Sequence, residues 1–129
     1  MANPNIVSVA TILGGNAGWN LTNTLTTTLV TVTAEYILKI NRIVCANVHG
    51  SAAANLNLYV DGMGSGTTGV TVTGGASATY LAKVISVPYQ SSLVVSDTPI
   101  YLMEGDFLKG GSSAASSLDL FITYETLID

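Results

Sequence analysis

Tyr36-Ile37-Leu38-Lys39-Ile40-Asn41-Arg42-Ile43-Val44-Cys45-Ala46-Asn47-Val48, closed by His49-Gly50, is the stretch that decides the fold class of this chain. It is the longest run rich in β-branched and aromatic residues that holds neither proline nor glycine, and it ends at a turn signal. Tyr36, Leu38 and Ile40 share one face of an extended chain. Val44, Ala46 and Val48 continue that face once the polar Arg42 is passed. The opposite face mixes Lys39, Asn41 and Asn47 with Ile37, Ile43 and Cys45. A helix does not fit, because the apolar set recurs every second residue rather than every 3.6. The expectation is a long central strand with a bend at Asn41-Arg42. Nothing in it suggests chemistry.

Downstream, Gly50-Ser51-Ala52-Ala53-Ala54 returns the chain to Leu56, Leu58 and Val60, which alternate with Asn57 and Tyr59 and read as a hairpin partner. Upstream, Ile6 to Leu13 reads as a first strand ended by Gly14-Gly15-Asn16-Ala17-Gly18, which places Trp19 in a loop. Leu21 to Val32 is laced with threonine and reads as one strand or two, although Leu21, Leu25 and Leu29 also have helical spacing. Asp61 to Thr79 is a Gly/Ser/Thr-rich excursion. Tyr80 to Val87, Leu93 to Val95, Ile100 to Leu102 and Phe107 to Lys109 follow as short strands, the last two around Glu104-Gly105-Asp106. A loop over Gly110 to Ser117 leads to a final alternating strand, Leu118 to Glu125. Many short strands and no long helix predict an all-β, antiparallel β-sandwich, jelly-roll-like, as a single domain over 1–129 with the excursion at 61–79.

Only 9% of the 129 residues are charged, against about 25% in ordinary soluble domains. Mean hydropathy is +0.49, and 48% of residues are apolar. Yet Thr and Ser interrupt every apolar run, and no stretch reaches the roughly 20 residues of a membrane helix. A surface so poor in charge is expected to be covered in an assembly. The net charge of −4 and the scattered Lys39, Arg42, Lys83 and Lys109 argue against phosphate-backbone binding. The amino terminus, Met1-Ala2-Asn3-Pro4-Asn5, has no positive leader region, so synthesis in a cytoplasm is expected. Cys45, the single cysteine, reads as a buried strand residue.

Candidate chemistry is sparse. Gly64-Ser65-Gly66-Thr67-Thr68-Gly69 spells a dinucleotide fingerprint, but neither a helix nor a suitably placed carboxylate follows it. His49 has Ser51 and Asp61 nearby in sequence, without the strained turn that a nucleophile needs. Glu104 and Asp106, with Asp97 upstream, offer hard oxygen ligands at no recognised calcium spacing. Asn20-Leu21-Thr22 is a glycosylation sequon lacking a secretory context. The expectation is no catalytic, cofactor or metal site. Interface candidates are Trp19 and, in the excursion, Met63, Gly64, Gly66, Val70 and Val72.

The motifs taken in order resemble those of small virion structural proteins of tailed phages, especially cyanophages and other marine phages. They are Leu38-Lys39-Ile40-Asn41, Val44 to Gly50, Leu81 to Pro88, Leu93-Val94-Val95, Ile100 to Leu108 and Tyr124-Glu125. The excursion at 61–79 is longer than usual for that family. The resemblance implies a β-sandwich of the particle, made in the host cytoplasm, with no reaction to perform and no nucleic-acid or membrane partner. It implies first a capsid decoration (cement) protein on the capsid exterior, a homotrimer on the major capsid protein lattice. The second implication is a tail, baseplate or head-fibre component that contacts the host surface. A carbohydrate-binding module or small hydrolase is the reading from another class.

Overall fold

The computed structural model describes residues 11–62 and 78–128. Its strands are β1 (Thr11–Asn20), β2 (Thr28–Thr31), β3 (Tyr36–Asn47), β4 (Ala54–Asp61), β5 (Thr79–Val87), β6 (Ser92–Ser96), β7 (Ile100–Leu102), β8 (Phe107–Ser112) and β9 (Leu118–Ile128). One antiparallel sheet has the order β1-β9-β3-β6, with β7 also paired to β3; the other has the order β2-β8-β4-β5. The pairings are nested: Thr11 lies opposite Ile128, Thr28 opposite Lys109, Ile43 opposite Ser96, and Leu58 opposite Ala82. The chain is thus one long antiparallel ribbon, its ends at β1 and β9 and its tip at β4–β5, rolled so that successive strand pairs fall in alternate sheets. That is the jelly roll, and the expected sandwich class holds.

β3 is central, flanked by β9 on one side and by β6 and β7 on the other. Its register against β9 slips between Ile40 and Arg42, a β-bulge at the expected bend. An extra residue reverses the parity of everything after it. The core face of β3 therefore runs Leu38, Ile40, Ile43 and Cys45, not on to Val44, Ala46 and Val48. Ile43 and Cys45 are fully buried, whereas Val48 is 53% exposed. The partner strand of β3 is broken at the same level: β6 ends at Ser96 and β7 resumes at Ile100, with Pro99 between them, where an edge tolerates a missing N–H. Across the interior, Leu56, Leu58 and Val60 meet this face, joined by Leu108, Leu118, Leu120 and Ile122.

Three further expectations are corrected. β3 and β4 do not form a hairpin, because they lie in different sheets. Among the described strands, β4–β5 is the one chain-adjacent pair that is hydrogen-bonded. Asn47 makes the corner between β3 and β4. Its Nδ2 donates to the carbonyls of Ala52 (3.0 Å) and Val87 (2.8 Å), and its Oδ1 accepts the His49 N–H (2.8 Å). Residues 21–27 are a loop, not strand, held to β8 by backbone bonds from Gly110 to Thr27 and from Ser112 to Thr22. β8 also continues through Gly110 and Gly111 instead of ending before them. A Cβ there would lie 2.2 Å from the Asn57 carbonyl oxygen and 2.6 Å from that of Thr24, so glycine permits the contact.

Candidate functional site: an aromatic cleft between the sheets

The glycine run expected to end the first strand lies inside it. β1 pairs with β9 continuously from Thr11 to Asn20 and carries Trp19 within the strand, not in a loop. Register places Gly15 opposite Tyr124, Ala17 opposite Ile122 and Trp19 opposite Leu120, all on the inward face. Any side chain at position 15 would strike the Tyr124 ring, with a Cβ only 2.8 Å from Cζ. Glycine therefore seats that ring against β1. With only Gly15 and Ala17 inward-facing along this part of the edge strand, little volume fills the gap toward β2.

The result is a cleft of about 370 Å³ between β1, β9 and β3 on one side and β2 with its exit on the other. Leu38 and Ile122 line it from the core, and Leu29 and Val30 line it from β2. β2 is only four residues long, and its pairing with β8 slips between Thr28 and Val30, which leaves this side of the sandwich open. Trp19, Tyr36 and Tyr124 supply aromatic surface, and Thr31, Thr33 and Thr126 supply hydroxyls. All three rings are half-buried. The twelve lining residues include no acid and no base. Of this group, only Trp19 was among the interface candidates read from the sequence. The usable signal was the period-two series Leu13, Gly15, Ala17, Trp19, hidden because consecutive glycines read as a break.

The other sequence candidates do not converge. His49 lies in the turn before β4 and Asp61 at its far end, with the strand from Ala54 to Asp61 spanning roughly 20 Å at about 3.3 Å per residue. The His49 Nδ1 instead accepts the N–H groups of Ser51 (3.1 Å) and Ala52 (3.0 Å), closing its own turn. Asp61 pairs with Lys109 at 2.8 Å, and the hydrogen bond from that ammonium, helped by the Gly62 N–H, holds its carboxyl below the usual range. Glu104 accepts the Glu35 N–H (3.0 Å), at a residue with φ of 71°, and Asp106 accepts the Met103 N–H (2.9 Å). These two acids are used by backbone. Burial pushes the Asp106 carboxyl up, against the pull of that N–H. No group of three metal-ligating side chains occurs among the described residues. Burial, with the Asp119 charge adding to it, raises the Cys45 thiol to about 11, so the thiolate that would react is suppressed. Met63, Gly64, Gly66, Val70 and Val72, and the glycine fingerprint from Gly64 to Gly69, lie outside the described residues.

A second surface feature crosses the outer face of the β1-β9-β3-β6 sheet. Gly18, Phe121, Val44 and Val94 are successive register partners and form one apolar row across four strands. Phe121 and Val94 are each 45% exposed. The bulge in β3 turns Val44 outward into this row. No family model, curated protein or solved structure matches the chain.

Proposed function

We propose that the protein is a structural component of a tailed-phage virion, a capsid decoration protein that sits as a closed trimer on the major capsid protein lattice. The observation that carries this reading is the apolar row of Gly18, Phe121, Val44 and Val94 on a chain with only 9% charged residues. Exposed rows of this kind mark contact surfaces, and a cyclic oligomer covers them without open-ended growth. The ordered motifs of β3, β5, β6 and the β7–β8 region supply the resemblance to virion proteins, and the jelly roll is an architecture that viral capsid domains use.

On this reading the protein has no reaction to catalyse. It attaches through many weak apolar contacts, each oligomer engaging several capsid subunits at once, so that release requires all of them to let go. The test is sedimentation of the purified protein, followed by binding to undecorated phage capsids at low and high salt. A stable oligomer that binds with little salt dependence is expected, since apolar contacts are not screened. A monomer that ignores capsids refutes the proposal. Phe121→Ser should weaken capsid binding at least tenfold without lowering the melting temperature, because the ring lies on the outer face.

A further inference from the structure

We propose that the cleft between β1 and β2 is a binding site for an uncharged saccharide ring. The inference does not depend on where the protein sits in a particle. Ligand sites are typically about 300–1,000 Å³, and this cleft of about 370 Å³ suits a small ligand rather than a protein segment with several side chains. It is also built by the sequence, not left over from poor packing. Gly15 leaves room for the Tyr124 ring against β1, and Ala17 keeps the neighbouring inward position small.

The chemistry of the lining selects the ligand class. A charged ligand would lose its hydration and gain no counter-charge, since the twelve lining residues include no Asp, Glu, Lys, Arg or His. A hydrocarbon would cover polar groups without pairing them. Half of the lining residues carry a hydroxyl or an indole N–H: Trp19, Tyr36, Tyr124, Thr31, Thr33 and Thr126. None of these six groups takes part in a side-chain hydrogen bond among the described residues. They are therefore available to a ligand, and a ligand that left them dry and unpaired would bind poorly.

The three rings pack against the core with part of each surface left open. The close ring pair among the described residues is Tyr59 with Tyr80, at 5.1 Å and far from the cleft on the β4–β5 hairpin. Trp19, Tyr36 and Tyr124 do not stack on one another. A pyranose presents an apolar C–H face and a rim of neutral hydroxyls, which matches half-buried rings bordered by threonines.

Trp19 is the only tryptophan of the chain and stands in the cleft, so the full-length protein reports its own occupancy. The experiment titrates it with methyl glucoside, galactoside and mannoside, N-acetylglucosamine, cellobiose and lactose while Trp19 emission is followed. Choline and 1-octanol serve as probes of the cationic and hydrocarbon classes. A saturable change with at least one saccharide in the millimolar range or tighter is expected, and none with choline or octanol. Ala17→Leu, which adds bulk at a lining position of the cleft, should abolish the response. Because that variant can fail to fold, Thr126→Val and Tyr36→Phe are measured beside it; these near-isosteric changes should each weaken binding fivefold or more with an unchanged melting temperature. Saturation by choline or octanol alone, no saturation by any probe, or a saccharide response identical in the Thr126→Val and Tyr36→Phe variants overturns the assignment.

Discussion

Alanine at Ile43 and alanine at Val44, one residue apart, should differ severalfold in their cost to stability. Before the bulge, the core face of β3 is carried by the even-numbered Leu38 and Ile40; after it, by the odd-numbered Ile43 and Cys45. Ile43 is fully buried, opposite Ile122 on β9. Its replacement by alanine removes three carbons, about 2.4 kcal/mol at ~0.8 kcal/mol per buried carbon. The cavity left behind brings the loss to about 3–4 kcal/mol, within the range of about 2–5 observed for such changes. Val44 is only partly covered, between Phe121 and Val94 on the outer face, and its replacement should cost less than about 1 kcal/mol. For a domain of this size, 3 kcal/mol corresponds to roughly 10 °C in melting temperature. Urea unfolding followed by Trp19 emission and far-UV circular dichroism measures both variants. An unbulged strand predicts the reverse order. If Val44→Ala is the more destabilising of the two, the register described for β3 is wrong.

Two further predictions rest on other parts of the fold. Asp106 has its carboxyl raised above the usual 3.8, chiefly by burial, so the folded state holds its proton more tightly than the unfolded chain does. Its contribution to stability is therefore fully present below about pH 4 and is lost as pH rises through the raised folded value. Asp106→Asn keeps an oxygen for the Met103 N–H and should match or exceed the parent in melting temperature at pH 7, with the advantage gone near pH 4; a large loss at pH 7 contradicts this account. Because Val60 lies opposite Thr79, the β4–β5 hairpin can be closed by a short turn in place of residues 63–76. That exchange should preserve cooperative melting and weaken assembly as judged by sedimentation, whereas an undiminished oligomer denies the excursion an interface role.

Alternation of apolar residues every second position is a local property of the chain, and it suffices to mark β3, β4 and β9 near their observed bounds. It also suffices for the all-β class, since no segment offers helical periodicity without heavy threonine content. The bend at Asn41-Arg42 was legible as a polar interruption. Its effect on parity was not, because the same residues satisfy a straight or a bulged strand until β9 is laid beside them. Pairing is likewise non-local. Gly50 to Ala54 reads as a hairpin turn, but the two flanking strands each join a different sheet and face one another across the core. The cleft was the least legible feature of all. Glycines at 14, 15 and 18 weaken a strand considered alone, and only the Tyr124 ring across the ladder gives Gly15 its place. What composition and alternation determine by themselves is an extended, charge-poor chain with two-faced strands. Which face of each strand is inward, which strands are neighbours, and where the sandwich stays open are decided by contacts between residues far apart in sequence.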